Sequence, residues 1–150
     1  MLLSTPLVLY TAIIWSKISF NWKNIEFLGY KSGQELMDLK KNAYFVVVPS
    51  EWYENNPMAI IESYCEGVPA IGSRIGGIPE IINEGKTGYI FKPHNTTELT
   101  EKIAKASDLS AEVYQQMSDN AISFAHKDMS KESYYKRLLP FYEQLLNNKK

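Results

Sequence analysis

Apolar positions along this chain recur with two different spacings, and the two alternate from residue 24 onward. Ile25-Glu-Phe-Leu-Gly29 suits a short strand ending at a glycine. Ser32 is placed to cap a helix running to about Lys41, with Glu35 three residues on to complete a capping box. Tyr44-Phe-Val-Val-Val48 is an unbroken aromatic and β-branched run, the pattern of a parallel strand covered on both faces, and Pro49 closes it. Asn56 and Pro57 then predict a helix start, with asparagine as cap and proline at the first helical position. Met58, Ile60, Ile61, Tyr64 and Cys65 would form that helix's apolar face, and Gly67 would end it.

The alternation continues to the end of the chain. Val68-Pro-Ala-Ile-Gly72 predicts a strand, Gly76-Gly77 a loop, Ile78 to Asn83 a brief helix, and Thr87-Gly-Tyr-Ile-Phe91 another strand. Asn95 with Glu98, and then Ser110, mark two helix starts, the second helix reaching about His126. Tyr134, Tyr135, Leu138, Leu139, Tyr142, Leu145 and Leu146 lie at helical spacing in a last segment, where Pro140 is expected to kink the helix. Strands alternating with helices predict an α/β fold with a Rossmann-like, doubly wound, mostly parallel sheet. In such sheets ligands bind beyond the carboxyl ends of the strands.

Composition narrows the class. One hundred and fifty residues, 45% hydrophobic and 22% charged, suit a globular domain with a proper core. A net charge of −1 gives no broad attraction to nucleic acid or anionic membrane. The single cysteine, Cys65, cannot form an internal disulfide, which fits a cytoplasmic, reducing compartment, and its helix reads as core, so an inert buried thiol is expected. Residues 1–23 form an atypical apolar segment: Leu2 to Trp15 is nearly continuous apolar sequence, yet shorter than the about 20 residues a membrane helix needs. A buried strand or helix is the plain reading of it, and a membrane-associated role the alternative. Residues 24–150 form the domain proper.

Candidate chemistry concentrates between Pro49 and Pro69. Glu54 belongs to a polar loop that follows a strand, its carboxylate free to accept from hydroxyls. The predicted helix after Pro57 has first amides without intrahelical acceptors and a dipole that favours an anion. Pro57 has no N–H, so Met58 and Ala59 are the candidate donors to a phosphate or sugar oxygen. Glu62 lies about 8 Å further along the helix axis, too far from Glu54 to act with it as one acid/base couple. The two read instead as separate grips on an elongated ligand. On pattern alone, a solvated helix glutamate and a loop-capping glutamate are the commoner readings of such residues. Gly76-Gly77 reads on pattern alone as an ordinary tight turn, the commoner case, with a place where backbone approaches a ligand as the alternative. His94 and His126 stand isolated and suit surface or capping positions.

Several of these segments together resemble a known family. Ile25 to Gly29, Val48-Pro-Ser50, Glu54 to Glu62, Gly67-Val-Pro69, Gly76-Gly-Ile-Pro-Glu80 and Gly85-Lys-Thr-Gly88 occur in the order seen in glycosyltransferase family 4, retaining enzymes that use nucleotide-sugars. The resemblance is close from about Asn24 to Ala106 and looser in the last helices. It implies the C-terminal half of a GT-B fold and a donor-binding domain that moves a hexose to a saccharide or lipid-linked acceptor. By it, Glu54 contacts the donor sugar's hydroxyls and is the catalytic-site residue, and Glu62 binds both ribose hydroxyls. Asn55, Asn56, Pro57, Met58 and Ala59 form the loop facing sugar and phosphates, and Gly76 and Gly77 shape the pocket behind them. No metal or other cofactor is expected.

The resemblance also implies parts not found in this chain. Family members carry an N-terminal acceptor-binding domain, and an arginine and a lysine that neutralise the diphosphate. The stretch where that pair should fall offers only Lys17. The chain is therefore expected to be a donor domain cut at its N-terminal side, with little or no transferase activity by itself. A nucleotide-diphosphate sugar and the acceptor-binding domain are the expected partners, with no nucleic acid. Peripheral contact with the inner face of the membrane and self-association through exposed apolar surface are further expectations. The alternatives are a nucleotide-binding module without catalysis, or an inactive remnant serving as an assembly surface.

Overall fold

Strand β2, Phe45–Val48, is buried along its whole length, and its side chains divide by parity between two cores. Val46 and Val48 join one hydrophobic cluster, Phe45 and Val47 the other. A strand with both faces covered needs helices above and below, and the computed structural model shows that arrangement. It describes Leu7–Leu9, Glu26 and residues 28–148.

The elements follow in the order β1 (Leu7–Leu9), α1 (Gly33–Lys41), β2, α2 (Met58–Cys65), β3 (Ala70–Ser73), α3 (Ile78–Ile81), β4 (Gly88–Phe91), α4 (Thr96–Ser107), α5 (Ala111–Lys127) and α6 (Lys131–Asn147). The strands form one sheet in the order β1-β2-β3-β4, every pair parallel. Register pairs Val46 with Ala70 and Ile71 with Tyr89. Ile60 and Tyr64 of α2 and Ile78 and Ile81 of α3 fill one face. On the other face, Leu99, Ile103 and Ala106 of α4 cover Phe45, Ile71, Tyr89 and Phe91. This is a Rossmann-like α/β domain.

Helix α5 closes one end of the sheet. Tyr114 donates to the Tyr44 carbonyl at 3.0 Å, Ser118 to the Gly67 carbonyl at 2.6 Å, and Asn120 to the Lys86 carbonyl at 3.2 Å. Those three carbonyls precede β2, β3 and β4, so α5 runs across the strands' N-terminal ends and leaves their C-terminal rim open. Caps Asn95 and Ser110 form as expected, accepting from the amides of Glu98 at 3.0 Å and Val113 at 3.4 Å.

Several expectations are corrected. Residues 25 and 27 of the expected 25–29 strand lie outside the described residues, and Glu26, Leu28 and Gly29 belong to no strand. The segment 1–23 likewise lies outside them, except for Leu7–Leu9, which is a strand. Ser32 occupies the cap position of α1 but its side chain caps nothing, and the Glu35 carboxylate pairs with Lys31 instead of closing a capping box. Asn56 does not cap α2. Pro57, in an extended conformation, takes the cap position, and the helix begins one residue later than expected. The buried face of α2 is Ala59, Ile60, Ser63 and Tyr64, while Met58 and Cys65 are exposed. Strand β3 starts at Ala70 rather than Val68, whose amide still bonds back to the Ser63 carbonyl at 2.9 Å to close the end of α2. Helix α3 ends at Ile81, short of Asn83. Helix α6 runs through Pro140 and buries none of its residues.

Candidate functional site at the C-terminal rim

The rim is organised by a serine at the end of each of two neighbouring strands. Ser73, the last residue of β3, is fully buried and donates to the Ser50 carbonyl just past β2 at 2.6 Å. Ser50 in turn donates through its hydroxyl to Glu54 Oε1 at 3.1 Å. The loop after β2 is thereby folded back so that the half-buried Glu54 carboxylate is held from below.

A second contact holds the same loop from the side. The Gly77 amide donates to the Glu54 carbonyl at 2.7 Å. A Cβ at Gly77 would lie 2.0 Å from the Asn55 carbonyl oxygen, and one at Gly76 would lie 2.3 Å from the Glu54 carbonyl oxygen. Gly76 also adopts a left-handed φ of +56°. The tight-turn reading of this glycine pair holds, with the Ile78 amide donating to the Ile75 carbonyl at 3.3 Å, and the backbone that the turn approaches closely is that of the Glu54–Asn55 loop. The glycines are required so that two loops can touch.

Between them lies a cleft of about 370 Å³ lined by Tyr53, Glu54, Asn55, Gly76, Gly77 and Glu80. That volume falls at the small end of ligand-binding pockets. Four of the expected site residues (Glu54, Asn55, Gly76 and Gly77) are thus brought together. Asn56 and Met58 are exposed outside the cleft lining, and Pro57 and Ala59 are buried beside it on the α2 start. No side chain caps α2, so its first amides are offered to whatever lies before the helix; the Ile60 amide is already taken by the Pro57 carbonyl at 3.0 Å.

Glu62 stands apart from the cleft. Its Oε2 accepts from Nζ of Lys40, a lysine 1% exposed in the last turn of α1. The Glu62 side chain itself is 40% exposed. The two glutamates therefore sit in different surroundings, as their spacing implied. Sequence reasoning did not single out Tyr53 and Glu80, which line the cleft, or Lys40, which pairs with Glu62. Glu80 ends the Gly76-Gly-Ile-Pro-Glu80 motif but reads there as a helix-start residue, and a lysine in an amphipathic helix carries no signal of burial.

Elsewhere on the rim, Pro49, Ser50, Phe91, His94 and Asn95 help line a hollow of about 110 Å³. His94 is exposed, has φ +59°, and sits 3.3 Å from Glu51 Oε1. Among the described residues no three His, Cys, Asp or Glu side chains converge into a metal cluster, and no helix is long and apolar enough to cross a membrane.

A parallel α/β sheet with helices on both faces defines the class of Rossmann-like domains. Comparison with known proteins narrows this. Residues 14–124 match the family Glycosyl transferases group 1, and the chain belongs to that family. An uncharacterized glycosyltransferase of Methanocaldococcus jannaschii is 31% identical over 119 residues, spanning 79% of this chain and 33% of that protein. The sulfoquinovosyl transferase of Arabidopsis thaliana is 35% identical over 80 residues, 51% of this chain and 16% of that protein. Among solved structures, Anabaena HepE in complex with UDP superposes with a TM-score of 0.70 at 19% identity, covering 81% of this chain and 32% of HepE. The C-terminal domain of a group 1 glycosyl transferase from Francisella tularensis superposes at 0.62 and 18% identity, covering 73% and 55%. The fold is thus that of the C-terminal half of a GT-B enzyme. The chain spans a third or less of the length of the two sequence relatives.

Proposed function

We propose that this chain is the donor-binding domain of a retaining, family 4 hexosyltransferase, binding a nucleoside-diphosphate sugar for transfer to a saccharide or lipid-linked acceptor. The observation that carries the reading is the meeting of Glu54, Asn55, Gly76 and Gly77 in one cleft at the open rim. Membership of the group 1 family and the UDP and UDP-glucose complexes of HepE support it. The second reading, a module that binds without transfer, is not favoured, since the relatives named are transferases.

In this reading Glu54 accepts from hydroxyls of the donor sugar, held in place by Ser50. Asn55, Asn56 and Pro57 form the wall between sugar and helix. The amides of Met58 and Ala59 at the uncapped start of α2 face the phosphate oxygens, where the helix dipole favours negative charge. Glu62 accepts from the two ribose hydroxyls. In the transfer step the bond from the anomeric carbon to the diphosphate oxygen breaks and a bond to the acceptor oxygen forms with configuration retained. The acceptor's hydroxyl proton leaves with the diphosphate. No metal is assigned to this step; activity of the assembled enzyme unchanged by EDTA is the expected result. Acceptor binding is assigned to another domain, and a lipid-linked acceptor would bring the enzyme to the cytoplasmic face of the membrane.

Calorimetric titration of the chain with UDP, GDP, ADP and their glucose or mannose conjugates tests this. Glu62→Ala is expected to weaken nucleotide and conjugate alike, and Glu54→Ala the conjugate alone. Absence of binding to millimolar ligand, a limit of about 4 kcal/mol, overturns the proposal for this chain.

Self-association is assigned to α6. Leu139, Phe141, Leu145 and Leu146 are each more than half exposed, and the helix buries nothing. Exposed apolar side chains in such number along one helix draw a partner, here a second copy. Sedimentation is expected to give a mass that rises with concentration and falls to the monomer in Phe141→Glu; a monomer mass at every concentration refutes it.

A further inference from the structure

Lys40 is the one charged residue among the fully buried side chains of the described residues, and it is paired with Glu62. An ammonium group taken out of water is costly unless it is paired and hydrogen-bonded. Here the burial is one-sided. The lysine is 1% exposed, whereas the Glu62 side chain keeps 40% of its surface. Oε2 faces the lysine, and the exposed part of the side chain is left for a ligand to reach. A carboxylate on an exposed helix face ordinarily samples several rotamers. This one is tethered by a cation that is itself buried in the last turn of α1.

We infer that Lys40 is a positioning residue, which orients the Glu62 carboxylate toward a vicinal diol and so gives the site its preference for ribo- over 2′-deoxyribonucleotides. The inference rests on the assignment of Glu62 to the ribose. The physical argument is one of prepaid order. A diol is gripped by two directed hydrogen bonds, and their net strength depends on how little rotamer freedom the acceptor still has to lose on binding. Lys40 removes that freedom before the ligand arrives. A ligand with one hydroxyl gains much less from the orientation, so the effect appears in the ratio of two affinities rather than in either alone.

The test is titration of the full chain with UDP and 2′-deoxy-UDP, or the matching pair for whichever base it prefers. Wild type, Lys40→Met and Glu62→Gln are compared after circular dichroism shows each to be folded. Methionine keeps much of the lysine's length and leaves no buried cation behind. Wild type is expected to prefer the ribonucleotide by about tenfold, the worth of one well-made hydrogen bond to a charged group. Lys40→Met should bring that ratio to within about twofold of unity by weakening UDP, with 2′-deoxy-UDP little changed. A purely structural role for Lys40 would weaken both nucleotides together and leave the ratio intact, and that result overturns the inference while the ribose assignment stands. If Glu62→Gln binds UDP as tightly as wild type, or wild type ignores the 2′-hydroxyl, the ribose assignment itself fails, and this inference with it. Should the methionine variant not fold, Lys40→Gln carries the same comparison, because its shorter neutral amide withdraws from Glu62.

Discussion

The amide of Gly77 donates to the carbonyl of Glu54 at 2.7 Å, and this bond fixes the loop after β2 against the turn after β3. It makes the two glycines a structural requirement of the acidic loop. Gly77 has an ordinary φ of −82°, so alanine there introduces no backbone strain and tests the close approach alone. Its Cβ would meet the Asn55 carbonyl at 2.0 Å. Gly77→Ala is therefore expected to cost about 1–3 kcal/mol through forced movement of the loop. Affinity for the nucleotide-sugar should fall, while affinity for the free nucleotide stays within about twofold, since Glu62 is elsewhere. Equal loss of both would show that the loop does not act on the sugar alone.

Ser50→Ala removes the hydroxyl that donates to Glu54 Oε1 and leaves the Ser50 carbonyl, with its bond from Ser73, in place. A bond of this kind contributes about 1 kcal/mol, so nucleotide-sugar affinity is expected to drop about fivefold with thermal stability almost unchanged. Calorimetry on the variant decides the point, and an unchanged affinity would mean Glu54 finds its position without the serine.

A buried phenol, Tyr64, and a partly buried one, Tyr114, set an alkaline limit on stability. Burial raises Tyr64 far above its ordinary value of 10, the hydrogen bond with Thr87 opposing, and burial with a smaller contribution from Tyr44 pushes Tyr114 up to about 12. A raised folded-state value means the folded chain holds its proton more tightly than the unfolded chain. Their contribution is therefore complete below pH 10 and is lost as pH rises above 10 toward 12. Melting temperature is expected to be level up to about pH 10 and to fall beyond it. Tyr64→Phe should make that fall shallower, while costing about 1 kcal/mol at neutral pH for the bond to Thr87, 2.9 Å long. A slope identical to wild type would remove Tyr64 from the account.

Cys65 is exposed at the end of α2 and is the chain's single cysteine. The folded protein should take up one equivalent of a thiol label without unfolding. Cys65→Ser should shift stability by less than about 0.5 kcal/mol, as for other surface substitutions. Labelling that proceeds only at the rate of global unfolding would return the residue to the core.

Features governed by near neighbours are legible in the sequence. Asn95 and Ser110 cap their helices because a cap depends on residues two or three positions away. The buried run of β2 announces itself because four apolar residues in succession, Phe45 to Val48, need cover on both faces. Even local rules fail where a competitor stands close by. Glu35 is held by Lys31 rather than by the α1 cap, and Pro57 displaces Asn56 from the start of α2. Met58 and Cys65 read as core because helical spacing defines a stripe, but which side of that stripe meets the sheet depends on how α2 lies against β2 and β3.

By itself, then, the sequence determined the alternation of strands and helices, the family, and the identity of Glu54, Glu62 and the glycine pair as the residues to watch. The alternation follows from side-chain chemistry and short-range backbone preferences, which are written into neighbouring positions; the family and the residues to watch rest on the resemblance of the motifs. Only the tertiary structure decided that Gly77 holds Glu54, that Ser73 and Ser50 support it, and that a buried Lys40 is paired with a glutamate 22 residues away. Each of those contacts joins separate turns or helices around a parallel sheet. Their geometry is set by packing of the whole domain, and no short stretch of sequence contains it.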